Sequence, residues 1–295
     1  MGEKRTRKMM EEFEDLRLDI GRHQRIYSGL VRAVVLDWAG TAVDFGCIGP
    51  TDVFRKAFAA FDVAVDTEEI REFMGLKKID HVRAMTRMVP VMARWRQVHG
   101  RNPDEQDVQA IYAKTETLML ECIADHAEPI PGMLDLVAAL RARGVRIGSS
   151  TGYTRPMLDL LMAAAGQHGY KPDTAVCSTD VPAGRPYPWM CYANAIALEA
   201  YPLSAMIKIG DTVADIEEGL NAGMWTIGLT MSGNELGLTR ARAESLDATE
   251  LNTRLEVIAD RFRKAGAHYT ARGVWEVLPL IEVIDARLSR GERPV

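Results

Sequence analysis

No apolar run in this 295-residue chain approaches the ~18 residues of a membrane-spanning helix, so no membrane partner is expected. Cysteine is scarce: Cys47, Cys122, Cys177 and Cys191 stand far apart, without CxxC or Cys/His metal spacing. That excludes a disulfide scaffold and a zinc module, and predicts reduced thiols, most of them buried. A large excess of one charge is also lacking. With 36 Lys+Arg against 41 Asp+Glu the net charge is −5, so no nucleic-acid partner held by bulk positive charge is expected. Internal repeats and low-complexity segments are missing. Residues 1–23 are charged and lack the apolar core of a secretory leader, which predicts a cytoplasmic protein.

What is present suits a globular chain with a sizeable core: 47% hydrophobic and 26% charged residues. Phe13, Leu16 and Ile20 recur at helical spacing, so residues 1–28 read as a helical N-terminal extension. Strand patterns lie at Ala33–Leu36, Val145–Ser150, Met206–Gly210 and Trp225–Leu229, with a weaker one at Thr174–Cys177. Helical patterns separate them at Met133–Arg143, Arg155–Gln167, Tyr187–Ala200 and Thr212–Ala222. Strands alternating with helices predict an α/β fold, a doubly wound parallel sheet with ligands at the strand carboxyl ends. Residues 51–124 break the alternation. A stripe of Val53, Phe54, Ala57, Phe58 and Phe61, capped by Thr51, precedes long helical patterns at Ile79–His99 and Asp104–Cys122. The reading is a core over 29–47 and 125–295, with a helical cap inserted over 48–124. Hinges are expected near Gly46-Cys47 and Glu128-Pro129, and a mostly helical tail over Thr239–Arg290.

The strand ends carry the chemistry. Asp37 follows the first strand and suits a nucleophile or a metal ligand, or else a turn or cap aspartate. Ser150-Thr151-Gly152 presents hydroxyls and a glycine suited to phosphoryl oxygens. Gly210-Asp211-Thr212-Val213-Ala214-Asp215 ends another strand; Asp211 is a candidate Mg²⁺ ligand with Asp37, because hard cations prefer oxygen. Asp215 either orients that shell or serves as a carboxylate at a helix N-terminus. Arg185, in a Pro/Gly-fixed loop, either holds phosphoryl oxygens or is a surface arginine. Cys47, Met74, Tyr153 and Trp38 read first as packing residues, with a place beside the cleft as the alternative. His23, His99, His126, His168 and His268 receive no role.

Asp37-Trp38-Ala39-Gly40-Thr41, the segment Met74 to Arg83, Ser150 to Arg155, Val181 to Met190 and the Gly-Asp-Thr-x-x-Asp run occur in one order. Over residues 31–290 this resembles the haloacid dehalogenase superfamily and, within it, the phosphonatase family, which hydrolyses phosphonoacetaldehyde to acetaldehyde and phosphate. The resemblance implies a Rossmannoid core with an inserted cap. Asp37 becomes the nucleophile that forms an aspartyl phosphate, and Lys78 the cap lysine that forms a Schiff base. Thr151, Gly152 and Arg185 hold the phosphoryl group. Mg²⁺ sits on Asp37, Asp211 and the carbonyl of Ala39. It also implies a homodimer through cap helices, acting in 2-aminoethylphosphonate breakdown.

One departure from the superfamily is diagnostic. Where its phosphatases carry a second Asp, two residues past the nucleophile, this chain has Ala39. Without that acid an alkoxide leaves poorly, which disfavours phosphate-ester hydrolysis. A carbon leaving group needs an electron sink instead, and an iminium on Lys78 provides one. Lys78 must be neutral to attack, through burial or a nearby cation such as Lys77. At i+3 on a helix, His81 shares the Lys78 face and is a candidate proton shuttle, or a cap packing residue. The alternatives are a phosphomonoesterase or phosphomutase of the same superfamily, and a non-catalytic scaffold.

Overall fold

The computed structural model describes residues 27–294. The N-terminal helix expected around Phe13, Leu16 and Ile20 lies outside them. Six strands form one sheet: β1 (Ala33–Leu36), β2 (Arg146–Thr151), β3 (Thr174–Cys177), β4 (Met206–Gly210), β5 (Trp225–Leu229) and β6 (Tyr269–Ala271). Their order is β3-β2-β1-β4-β5-β6 and every pairing is parallel. β1 is central, with Val35 paired to Gly148 of β2 on one side and Lys208 of β4 on the other. Its four residues are fully buried because both faces are covered. Val34 and Leu36 pack with Met133, Leu136 and Ile281; Ala33 and Val35 pack with Cys191, Ala195 and Met224. Each such Val or Leu contributes roughly 1.5–3 kcal/mol of burial. From β1 the chain passes to β2 on one side, and from β3 it crosses back to β4 on the other, so Asp37 emerges where ligands bind in doubly wound sheets.

Helices Ile48–Ala59, Thr67–Arg71, Lys78–Arg87, Val89–His99 and Glu105–Cys122 follow β1 with no strand among them. They enclose their own apolar cluster, which includes Phe54, Phe58, Ile70, Met85, Trp95 and Ile111. The segments entering and leaving this helical layer run side by side: Val43 bridges to Pro129, and Ile130 N–H donates to the Ala42 carbonyl at 2.9 Å. Gly46 and Cys47 both have positive φ, 89° and 51°.

Three local expectations change. The first cap helix begins at Ile48, and Thr51 sits inside its first turn, donating its hydroxyl to the Cys47 carbonyl at 2.7 Å. The cap is Asp44, whose carboxylate accepts from the amides of Ile48 and Gly49, both at 3.1 Å. The pattern at 79–99 is two helices, because Pro90 cannot continue the first and instead occupies the first turn of the second. The tail contains β6, which at three residues is too short to show an alternating pattern. No helix among the described residues is long and apolar enough to cross a membrane.

Candidate active site

Asp37 is held by its amide, which donates to the Ile209 carbonyl of β4 at 3.0 Å, so its side chain projects past the sheet. The turn behind it needs Gly40: φ is 85°, and a Cβ there would lie 2.3 Å from Asp211 Oδ2. Asp211 follows β4. Its Oδ1 accepts from the Thr41 hydroxyl at 2.8 Å, and its Oδ2 from the Asn234 amide at 2.7 Å. Asp215 closes a capping box on the helix Val213–Asn221, its Oδ2 accepting from the Thr212 hydroxyl at 2.6 Å. Asp215 thus stands at the helix N-terminus and lies beside Asp37 and Asp211.

Arg185 is buried in the same cluster. Its Nη2 donates to Asp37 Oδ1 at 2.6 Å and to the Ser150 carbonyl at 2.8 Å, and its Nε donates to Glu218 Oε2 at 2.9 Å. It is no surface arginine. Lys208, from the middle of β4, reaches Asp215 Oδ1 at 2.7 Å and Glu218 Oε2 at 3.4 Å. Burial pushes Asp215 upward, but Arg185 and Lys208 outweigh it and hold the carboxyl below its usual range.

Asp37, Asp211, Asp215 and Glu218 are thus four buried carboxylates against two buried cations. The carboxylates outnumber these cations, with Lys78 a third buried cation on the facing wall. The strain shows in acidity: burial, with Asp215 adding to it, raises Asp37, and burial plus Asp37 and Asp215 push Asp211 well above the carboxylate range. Asp37, Asp211 and Asp215 each offer an oxygen within 4.8 Å of the others. An all-oxygen donor set in which carboxylates outnumber the buried cations fits a divalent hard cation. Ala39, half-buried, turns its carbonyl to the Cys47 thiol, which donates to it at 3.1 Å.

The cap supplies the facing wall. Lys78 opens the helix Lys78–Arg87 and is buried, its Nζ 4.8 Å from the Tyr153 ring centroid and 5.5 Å from that of Phe54. Burial lowers its pKa to about 8, helped by the positive charge of Arg185; the neighbouring Lys77 is not among the causes. His81 is fully buried and stacks on Phe54 with ring centroids 3.9 Å apart. Its Nε2 donates to the Ile70 carbonyl at 2.8 Å, which leaves Nδ1 as the acceptor, and Nδ1 has no hydrogen-bond partner. Burial, then the Lys78 charge, drives His81 well below its usual pKa, so the ring is neutral.

Asp37, Ala39, Cys47, Met74, Lys78, Thr151, Gly152, Tyr153 and Arg185 line one cavity of ≈ 20 Å³, room for about one water. His81 lies behind it, not in its wall. Cys47, Met74 and Tyr153 are buried and also wall the cavity, so packing and cleft placement coincide. Trp38 packs: its Nε1 donates to Ser149 Oγ at 2.9 Å and its ring meets Tyr170 edge-on. Thr151 Oγ1 accepts from the Tyr153 amide at 3.3 Å. Gly152 is where the cap touches the core: a Cβ there would lie 2.3 Å from the Leu76 carbonyl.

Lys208, Glu218 and Asn234 were missed from the sequence. A lysine inside a strand covered on both faces must be paired, so Lys208 carried a signal. Glu218 lies one turn beyond Asp215, and Asn234 follows β5, where the strand-end rule points.

The profile of the haloacid dehalogenase-like hydrolases matches residues 31–223. A phosphonoacetaldehyde hydrolase-like protein of Syntrophobacter fumaroxidans is 54% identical over 268 residues, covering 91% of this chain and 97% of that protein. A phosphonoacetaldehyde hydrolase of the same organism is 51% identical over 277 residues, covering 94% and 100%. The crystal structure of a phosphonoacetaldehyde hydrolase-like protein from Oleispira antarctica superposes with a TM-score of 0.89 at 36% identity, covering 91% of this chain and 98% of that one. With its central Asp37, its acidic cluster under a helical layer and these full-length matches, the chain belongs to the haloacid dehalogenase-like hydrolases, and within them to the phosphonoacetaldehyde hydrolase family.

Proposed function

We propose that this protein hydrolyses the carbon–phosphorus bond of phosphonoacetaldehyde, giving acetaldehyde and phosphate. Relatives of nearly equal identity carry the plain name and the "-like" name, so identity alone does not decide and the residues must. The single observation that carries the reading is that a buried lysine with a lowered pKa, Lys78, and the strand-end carboxylate Asp37 wall one cavity, with Ala39 where a phosphatase has its acid.

The steps follow from that pairing. Neutral Lys78 adds to the aldehyde and water leaves, forming a protonated imine. The π faces of Phe54 and Tyr153 favour that cation once water is shed. Asp37 attacks phosphorus in line. The P–C bonding pair moves into the adjacent C–C bond as the iminium nitrogen accepts electrons, so an enamine departs. Protonation of its carbon regenerates an imine, and one water releases acetaldehyde and Lys78. A second water cleaves the aspartyl phosphate, so one water is consumed overall. His81, at i+3 from Lys78 with its Nδ1 unpartnered, is the group that relays protons to and from the imine nitrogen in this reading. Arg185, Thr151 and Gly152 hold the phosphoryl oxygens; Arg185, already on Asp37, also keeps the nucleophile aimed. Asp37, Asp211 and the Ala39 carbonyl would hold Mg²⁺, which when bound would supply charge neutralisation for the phosphoryl oxygens. The family resemblance supports a place in 2-aminoethylphosphonate breakdown, a cytoplasmic location, and a homodimer through cap helices, of which Val89–His99 exposes Val89 and Val98. The limits of 48–124 for the cap and 29–47 with 125–295 for the core are part of the same reading.

The test is trapping. Borohydride added with phosphonoacetaldehyde is expected to inactivate the enzyme irreversibly, with the added mass on Lys78. Asp37→Ala should still be trapped but release no phosphate. A Lys78→Arg variant with normal turnover would eliminate the mechanism.

A further inference from the structure

Arg71 closes the cap helix Thr67–Arg71 and reaches into the core. Its Nη1 donates to the Asn234 carbonyl at 2.6 Å and its Nη2 to the Gly46 carbonyl at 3.1 Å. Asn234 answers, its Nδ2 donating to the Arg71 carbonyl at 3.1 Å. The same Asn234 gives its backbone N–H to Asp211 Oδ2 at 2.7 Å. One residue of the loop after β5 therefore grips the cap with its carbonyl and side chain, and the acidic cluster with its amide.

The surroundings leave little slack. Gly46, in the segment entering the cap, donates its amide to the Ser232 carbonyl at 2.7 Å, and the Ser232 hydroxyl donates to the Gly40 carbonyl at 2.8 Å. A Cβ on Gly233 would lie 2.1 Å from Asp211 Cβ, and one on Gly237 2.0 Å from Arg71 Nη1. The loop is thus wedged between the guanidinium and Asp211. Asp37, Lys78, Thr151 and Arg185 are all buried between cap and core, so ligand entry requires the cap to lift, and lifting it breaks the Arg71 contacts. A planar guanidinium spans two carbonyls at fixed geometry; an ammonium does not.

We propose that Arg71 is a positioning residue that couples closure of the cap to the geometry of the divalent-cation site, through Asn234 and Asp211. The proposal rests on the reading that Asp211 helps hold that cation. By linkage, if closure orients Asp211 for the cation, the cation favours closure by the same factor. Loss of the clasp then opens the cap and weakens the cation together.

The test uses the full-length protein without substrate. Cys47, buried under the cap, reports opening through its rate of alkylation by iodoacetamide, read peptide by peptide by mass spectrometry. Cys191, buried in the core, reports loss of the fold. Mg²⁺ affinity is measured by calorimetry. Arg71→Ala is expected to alkylate Cys47 about tenfold faster with Cys191 unchanged, and to bind Mg²⁺ about tenfold more weakly, with Arg71→Lys in between. Unchanged Cys47 protection, or faster alkylation with unchanged Mg²⁺ affinity, overturns the proposal. If Cys191 also opens in Arg71→Ala, Arg71→Lys decides by the same two readouts. If the unaltered protein binds no Mg²⁺, the cation reading fails, and with it the coupling, whatever Cys47 does.

Discussion

Two buried lysines of opposite character show how context decides chemistry at the residue scale. Lys78 meets aromatic faces, and burial lowers it to about 8; Lys208 meets Asp215 and Glu218, which outweigh burial and raise it. At pH 7 roughly a tenth of Lys78 is neutral, against less than a thousandth for an ordinary lysine. Imine trapping is therefore expected to accelerate with pH up to about 8 and then level off. For stability the sign is the reverse of a paired lysine. The unfolded chain keeps this proton to ~10.4 and the folded chain loses it near 8, so folding strengthens as pH rises between these values and bears the full cost below 8. Lys78→Met removes that cost: turnover is lost, while unfolding in urea at pH 7 shifts upward by on the order of 1–3 kcal/mol. Lys208→Met does the opposite. It leaves Asp215 and Glu218 to share Arg185 alone and lowers stability by about 3–5 kcal/mol on the same urea curve. Equal effects from the two substitutions would refute this account.

At the scale of elements, the site exists because a helical layer lands on strand ends, and the landing point is Gly152 under Leu76. Gly152→Ala is expected to hold the cap off β2 by its added methyl group. A displacement of that size between Lys78 and Asp37 slows phosphate release by about 10²-fold. Because a held-off cap needs no unfolding, the thermal midpoint should move little; a large drop with normal phosphate release would show that Gly152 matters for the sheet rather than the landing. The entry into the layer is equally local. Asp44 caps the helix Ile48–Ala59 from four residues upstream, and its carboxylate also stands 3.4 Å from His126 Nδ1 on the returning segment, so one side chain ties both connections.

For the whole molecule, the decisive quantity is the excess of buried carboxylates over buried cations at the strand ends. A divalent cation bound only by the folded state stabilises it by about 2.7 kcal/mol at a hundred times its Kd. The melting temperature should therefore climb with Mg²⁺ and fall back with EDTA. Asp211→Asn removes a carboxylate whose ionisation burial, Asp37 and Asp215 already oppose, so without Mg²⁺ it should melt at or above the unaltered protein, yet gain nothing from the cation. A melting temperature that still climbs with Mg²⁺ in Asp211→Asn would place the cation elsewhere.

Local pattern sufficed for much of this protein. The apolar runs at Ala33–Leu36, Met206–Gly210 and Trp225–Leu229 are strands because four or five buried residues in a row cannot be anything solvent-facing, and Asp37, Asp211 and Thr151 announce themselves by standing at strand ends. Thr51, Pro90 and β6 went otherwise because a cap, a helix break and a three-residue strand depend on one hydrogen bond or one steric clash, which periodicity averages away. The partnerships were beyond pattern altogether. That Lys208 neutralises Asp215, that Glu218 holds Arg185 against Asp37, and that Arg71 reaches Asn234 across 163 positions are facts of distance in a folded interior. Sequence determines which side chains can bear charge, while only the fold decides which charges must share a low-dielectric space, and so which of them can be neutral, paired or bound to a cation.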